Sequence, residues 1–276
     1  MSTQHVYERK GVLIDIQGVT FARGGLPIIR DLNAQIRDVV RPGVSQGQIV
    51  GMLGPSGIGK TTLFKLLAGL SRPDSGTIKI GAEGVPAAPG LVGVVAQNYV
   101  LFDHRTVLGN LMIAAKQAGI SSAEAKESSL KYLERFGLKE HAEKFPIQLS
   151  GGQRQRVAIA QQLLCSKHYL VMDEPFSGLD VLQQENVISL LQEVTLNHEE
   201  NTLIIVTHDV SAAVAVCDTI WLMGRERTPT GEVIPGARIV DHIDLIERDL
   251  AWHPDIRKRP GYHTLVDEIK ERFHTL

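Results

Sequence analysis

Apolar, β-rich runs recur along the chain between segments of helical spacing. They are VLIDI at 12–16, QIVGML at 48–53, GTIKI at 76–80, LVGVVA at 91–96, YLVM at 169–172, TLIIVT at 202–207 and TIWLM at 219–223. Successive strand residues point to opposite faces, so a run with no polar alternation needs cover on both sides. That predicts a mainly parallel sheet between helices, an α/β core. VLIDIQGVTF alternates instead, which predicts an N-terminal antiparallel portion with one wetter face. From about 98 to 164 no strand pattern appears. VLGNLMIAAKQAG, SAEAKESSLKYLERFG and SGGQRQRVAIAQQLL carry helical spacing with Gly stops, so a helical subdomain is expected between sheet strands. RDVVRPGVSQGQ at 37–48 reads as a loop. After Arg225, ERTPTGEVIPGARIVDHID predicts a small hairpin. A terminal amphipathic helix follows, with Leu265, Val266, Ile269 and Phe273 on a face expected to dock on the chain's own core. The predicted organisation is a domain over 1–225 and a hairpin-and-helix extension over 226–276.

Composition narrows the partners more than the fold. With 276 residues, 43% of them hydrophobic, the chain can bury a full core as one large domain or one domain with a subdomain. Its 29 basic against 31 acidic residues give a formal charge of −2 and no basic footprint, so nucleic acid is not an expected partner. No apolar run approaches the roughly 18 residues of a membrane span, and MSTQHVYERKG has no signal-peptide apolar region, which predicts a cytoplasmic location. Cys165 and Cys217 fit a reducing compartment and have no zinc-ligand spacing; both are expected to be buried packing residues.

Three strand ends carry candidate chemistry. GPSGIGKTT, comprising Gly54, Pro55, Ser56, Gly57, Ile58, Gly59, Lys60, Thr61 and Thr62, matches G-x-x-x-x-G-K-[ST] between an apolar strand and a helical segment. Glycines let backbone N–H groups converge on phosphate oxygens, and the helix N-terminus adds positive potential there. Lys60 suits the β- and γ-phosphates, and the Thr61 hydroxyl suits Mg²⁺. The second strand, YLVMDEP, ends in two carboxylates. Strand alternation separates their roles, with Asp173 in the Mg²⁺ shell and Glu174 the general base for the attacking water. In the third, TLIIVTHD, the strand delivers His208 to the crevice at the carboxyl ends of a parallel sheet. There it can contact the γ-phosphate or orient the water and Glu174.

Across about residues 11–225 the chain resembles the ATP-binding subunits of ABC transporters. The motifs stand in the family's order: the phosphate loop, Gln97 in GVVAQNYVLFDHRTV, the signature LSGGQ at 149–153, LVMDEP, SGLD ending in Asp180, and the switch THD. The resemblance implies a P-loop NTPase core that uses ATP and Mg²⁺. It places Gln97 between Mg²⁺, water and the groove for the membrane subunit, and Asp180 at a dimer interface. Two copies would pack head to tail, so Ser150, Gly152 and Gln153 would serve the ATP of the other copy. The resemblance further implies membrane-spanning permease subunits, a peripheral place at the inner face of the membrane and, for an importer, a periplasmic or extracellular substrate-binding protein. GAEGVPAAPGLVGVVAQ and the brief tail resemble importers of small anionic nutrients of the nitrate, sulfonate and taurine type. Three features depart from the family pattern: Arg23 in VTFARGG stands where an adenine-stacking aromatic is usual, the 37–48 link is long, and AIAQQL replaces AIARAL. A guanidinium can also stack on a base. Two alternatives stay open. One is a soluble ABC ATPase on nucleic acid or ribosomes, although the chain lacks the long heptad insertions or second ATP-binding domain of such members. The other is an ATPase for lipid or drug export.

Overall fold

A computed structural model describes residues 7–44, 46–166, 168–196, 201–253, 255–274 and 276. In chain order the elements are β1 (Glu8–Arg23), β2 (Leu26–Val40), β3 (Gln48–Leu53), α1 (Lys60–Leu67), β4 (Ser75–Ile80), β5 (Val85–Pro86), β6 (Gly93–Val95), α2 (Val107–Gln117), α3 (Ser122–Arg135), α4 (Gly151–Cys165), β7 (Tyr169–Asp173), α5 (Val181–Thr195), β8 (Thr202–Thr207), α6 (Val210–Val216), β9 (Thr219–Gly224), β10 (Arg238–Asp244) and α7 (Pro260–Phe273). They form a four-stranded antiparallel sheet in the order β2-β1-β4-β5 and a six-stranded sheet in the order β10-β9-β3-β8-β7-β6. Within the second sheet β9, β3, β8, β7 and β6 run parallel, and β10 pairs antiparallel to β9 at the edge.

The continuous apolar runs are explained by two cores, one on each face of this sheet. Ile49, Leu53, Leu170, Met172, Leu203 and Ile205 face a core shared with the helices α2 to α7. The intervening Val50, Met52, Val171, Ile204 and Val206 face a second core made with α1 and the antiparallel sheet, whose contributions include Ile14, Ile16, Ile29 and Leu32. Every residue of β3 and of β8 is therefore buried. The α2, α3 and α4 segment lies between β6 and β7, as the missing strand pattern predicts. Thr106, Ser121 and Ser150 cap its three helices by accepting from Gly109 N, Glu124 N and Gln153 N.

Some expectations need correction. The 37–48 stretch is not a long loop, because β2 continues to Val40, Arg41–Val44 is a turn closed by Val44 N to Arg41 O at 3.1 Å, and β3 starts at Gln48. Buried Leu32, Ala34 and Ile36 alternate with exposed Asn33, Gln35 and Arg37, a strand pattern that runs into that stretch. Cys165 is half-buried on α4, whereas Cys217 is buried. At the C-terminal end, the antiparallel partner of β10 is β9, so the turn region after Arg225, with a bridge between Arg227 and Val233, is the tip of a longer hairpin. Leu265, Val266 and Ile269 of α7 are buried in the same core as α6, and Phe273 packs at its margin, half-buried.

Candidate active site

The parallel strands β3, β8, β7 and β6 lie side by side, and the carboxyl end of each delivers a candidate residue. Ligands of open α/β sheets bind at this edge. From β3 the chain enters the phosphate loop, which needs its glycines for separate reasons. A Cβ on Gly54 would lie 2.7 Å from Met223 O, whereas Gly57 and Gly59 have φ of 76° and 113°. Ile58 anchors the loop in the core, and Thr62 N and Leu63 N both donate to Gly59 O at 3.0 Å to begin α1. Ser56 and Thr61 are exposed and Thr62 is half-buried. The buried Lys60 folds its ammonium into the loop, donating to Gly54 O at 2.6 Å and Pro55 O at 3.1 Å. Burial lowers the Lys60 pKa, an effect opposed by the charges of Glu174 and Asp173.

The end of β7 places the acid pair beside this loop. Asp173 is the last strand residue, and burial followed by the Glu174 charge raises its pKa, with Lys60 and Lys65 opposing. Glu174 is not the next residue of a regular strand. Its φ of 48° lies in the left-handed region, so a backbone kink, rather than strand alternation, separates the two carboxylates. Such a conformation in a non-glycine residue costs on the order of 1 kcal/mol or more and persists where the surroundings enforce it. Here Glu174 N donates to Val206 O at 2.7 Å, Thr207 Oγ1 donates to Glu174 Oε2 at 3.0 Å, and His208 Nδ1 meets Glu174 Oε1 at 2.8 Å. The carboxylate is thereby aimed from both oxygens, and the His208 side chain stays 60% exposed toward the crevice. Gln97, two residues past β6, donates from Nε2 to Ser177 Oγ at 3.3 Å, on the loop that follows the acid pair.

Arg23 is exposed at the tip of the β1–β2 hairpin, turned by Gly24 and Gly25 with φ of 59° and 79°. The start of β2 runs past the phosphate loop, since a Cβ on Gly59 would lie 3.2 Å from Ile28 Cγ2. Ser150, Gly152, Gln153 and Asp180 lie elsewhere. The signature residues line a separate cleft with Leu179, Gln183 and Asn186, to which no phosphate-loop residue contributes. Ser150 and Gln153 form a reciprocal capping box, with Gln153 N donating to Ser150 Oγ at 3.3 Å and Ser150 N to Gln153 Oε1 at 2.9 Å. Gln153 Nε2 also meets His141 Nε2 at 2.9 Å, so this amide is committed within its own chain. Asp180 caps α5 through Gln183 N at 2.8 Å. Three site residues escaped the sequence reading. Thr207 and Ser177 hold Glu174 and Gln97, while Asp209 caps α6 and accepts from Gln184 Nε2 at 3.1 Å. Thr207 and Asp209 flank His208 in the THD motif, which was the available signal.

A phosphate loop, an acid pair and a switch histidine on adjacent parallel strands, with a helical insertion bearing LSGGQ, define a P-loop NTPase core. The ABC transporter family matches residues 38–177. The ABC transporter ATP-binding protein YtlC of Bacillus subtilis, itself described as uncharacterized, is 33% identical over 250 residues, covering 90% of this chain and 92% of that one. The methionine import ATP-binding protein MetN of Thermobifida fusca is 36% identical over 243 residues, 83% of this chain and 73% of that one. The spermidine/putrescine import ATP-binding protein PotA of Fusobacterium nucleatum is 38% identical over 215 residues, 76% of this chain and 54% of that one. The chain thus spans about half the length of several relatives it matches. Among solved structures, CbiO1 of Clostridium perfringens, part of the ABC transporter complex CbiONQ, shares the fold with a TM-score of 0.72 at 24% identity, covering 95% of this chain and all of that one. The chain belongs to the ABC transporter family, among its ATP-binding proteins.

Proposed function

We propose that this protein binds and hydrolyses ATP as the energising subunit of an importer, working as a homodimer at the inner face of the membrane with separate membrane-spanning permease subunits. The observation that carries hydrolysis is the Glu174 carboxylate held by Thr207 and His208 at the edge where the phosphate loop opens. Glu174 takes a proton from the attacking water, and His208 orients both the water and the γ-phosphate. Lys60 holds the β- and γ-phosphates, the rest of Gly54–Thr62 cradles them, and Arg23 stacks on adenine. Thr61, Asp173 and Gln97 would hold Mg²⁺. One carboxylate, one hydroxyl and one amide suit an ion that keeps several waters and shares the substrate phosphates. The Glu174 carboxylate beside Asp173 adds negative charge that fits a cation there as well. When bound, that ion neutralises charge developing on the phosphate oxygens.

The second copy explains the signature. Gly151 and Gly152 are exposed, and a Cβ on either would meet nothing within 4 Å in this chain, so their lack of side chains serves an approach from outside. Ser150, Gly152 and the N-terminus of α4 would donate to the other copy's phosphates, with Gln153 holding the segment in shape. Asp180 would border the interface, beside Val181 and Leu182, which are 65% and 73% exposed. For the permease, Gln97 leads into an exposed apolar group of Val100 and Phe102, with Phe145 and Ile147 on the segment packed along the start of α2. No helix among the described residues is long and apolar enough to cross a membrane, which suits a peripheral subunit. We assign 1–225 to the ATP-binding domain, with the helical subdomain at about 98–164, and 226–276 to an extension.

Import is supported by relatives named for importing spermidine and putrescine, Fe(3+) ions and methionine. Their range leaves the cargo, including the small anionic nutrient suggested by the resemblance, unassigned. A periplasmic or extracellular substrate-binding protein would deliver it. Glu174→Gln tests the hydrolytic assignment, since the amide keeps the shape and loses the base. Turnover should fall about 10²–10⁴-fold while ATP binding persists, and light scattering should show a stable ATP-bound dimer. Near-normal turnover would remove Glu174 from this role.

A further inference from the structure

We infer that the C-terminal helix α7 sets the geometry of the switch histidine, with Tyr262 as the positioning residue. This inference rests on the hydrolytic reading above. The Tyr262 side chain is buried, and its hydroxyl donates to the Ser211 carbonyl oxygen at 3.0 Å, in the first turn of α6. That helix has only seven residues and begins two positions after His208. A helix this short does not hold its own shape in isolation, so its placement depends on what packs against it. Six of its residues are buried in the core shared with α7, and Ser211 is the remaining one.

From α6 the contacts run to both oxygens of Glu174. Asp209 Oδ1 accepts from Ala212 N at 2.9 Å and fixes the start of the helix. Asp209 N donates to Thr207 Oγ1 at 3.1 Å, and that hydroxyl donates in turn to Glu174 Oε2 at 3.0 Å. His208, between them, holds Glu174 Oε1. A displacement of α6 must therefore move Thr207 or His208 and turn the carboxylate. The extension also reaches α5: Arg257 lies 3.8 Å from Glu185, and the preceding residue, Gln184, donates to Asp209 Oδ2. The segment following β10 thus touches both helices that converge on Asp209. Residues outside the family's ATP-site motifs thereby gain a route to the rate of hydrolysis without touching nucleotide.

Tyr262→Phe removes the hydroxyl and keeps the ring in its packing. Loss of one hydrogen bond corresponds to a fall in kcat for ATP of about threefold to tenfold, with KM unchanged because the phosphate loop and Arg23 are untouched. The His208 imidazole NMR signals, assigned by their absence in His208→Ala, should be displaced in the full-length Tyr262→Phe protein. A purely structural role would leave those signals in place. Unchanged kcat, or a lowered kcat with unmoved His208 signals, overturns the inference. If the wild-type protein hydrolyses no ATP, the functional reading fails, and the imidazole signals alone then decide whether Tyr262 positions His208.

Discussion

Glu174 shows how a single residue is prepared for its role, since a left-handed backbone at φ 48° is maintained where the neighbouring strand β8 and the residue after it supply Val206 O, Thr207 and His208. Arg23 is the opposite case, an exposed side chain on a tip shaped by two glycines. If its guanidinium stacks on adenine, Arg23→Ala removes an exposed cation–π contact worth ~0.5–1 kcal/mol. ATP affinity should fall about two- to fivefold, and discrimination against GTP should narrow, both readable by titrating the two nucleotides. Equal affinities before and after would make Arg23 a solvated hairpin charge. Asp173, Glu174 and His208 were legible in the sequence because they end apolar runs, where a polar group stands out, and Lys60 because the glycine spacing before it is a motif. What Thr207 and Ser177 hold was not, because their partners are set by strand order: β8 lies beside β7 and β6 beside β7, and no local spacing records that. The kink at Glu174 was equally silent, since left-handed backbone is signalled by glycine and none stands there.

Elements meet at Asp218, which ties three of them together away from the phosphate loop. Its carboxylate accepts from Ile49 N at 2.7 Å in β3, its backbone N–H donates to Ile49 O at 2.8 Å, and its own carbonyl accepts from Leu245 N at 3.0 Å after β10. Burial raises its pKa to about 7 from the ordinary 3.8, with the hydrogen bonds from Ile49 and Trp252 and the Arg41 charge opposing. The folded chain therefore holds this proton more tightly than the unfolded one. The associated stability is complete below about pH 4 and is lost as pH rises through about 7. Thermal midpoints of the wild type should decline from pH 5 to 8 more steeply than those of Asp218→Asn, whose amide oxygen can still accept from Ile49 N but cannot ionise. Parallel declines would show that Asp218 does not titrate in this range. The joint was invisible beforehand because it unites positions 169 residues apart. By contrast, β3 and β8 stand where their apolar runs are, since burial on both faces leaves a continuous signal. The 37–48 stretch was misread because Pro42 and Gly43 mark a tight turn of four residues, and the exposed Arg37 before it still belongs to β2.

At the scale of the whole molecule, the separation of the signature cleft from the phosphate loop demands a second chain if both serve one ATP. A two-fold dimer would then contain two composite sites, each built from one chain's loop and the other's signature. Lys60→Ala disables the loop. For the signature, Gly152→Asp is more selective than any change at Ser150, which would also remove the cap of α4. A side chain at 152 meets nothing within 4 Å in its own chain, and a carboxylate in the first turn favours its own helix. It would repel only a triphosphate brought by a partner. Each variant alone would form dimers with two broken sites. A heterodimer concentrates both lesions in one site and leaves the other whole. Mixing differently tagged variants and isolating verified heterodimers should restore hydrolysis to at most roughly half the wild-type rate if the sites act independently. A heterodimer with both lesions on one chain and none on the other discriminates further. Partnering across the interface damages both of its sites and predicts no activity, whereas a signature serving its own chain's ATP leaves one site intact. Activity in this last arrangement, together with none in the first, would overturn the composite site.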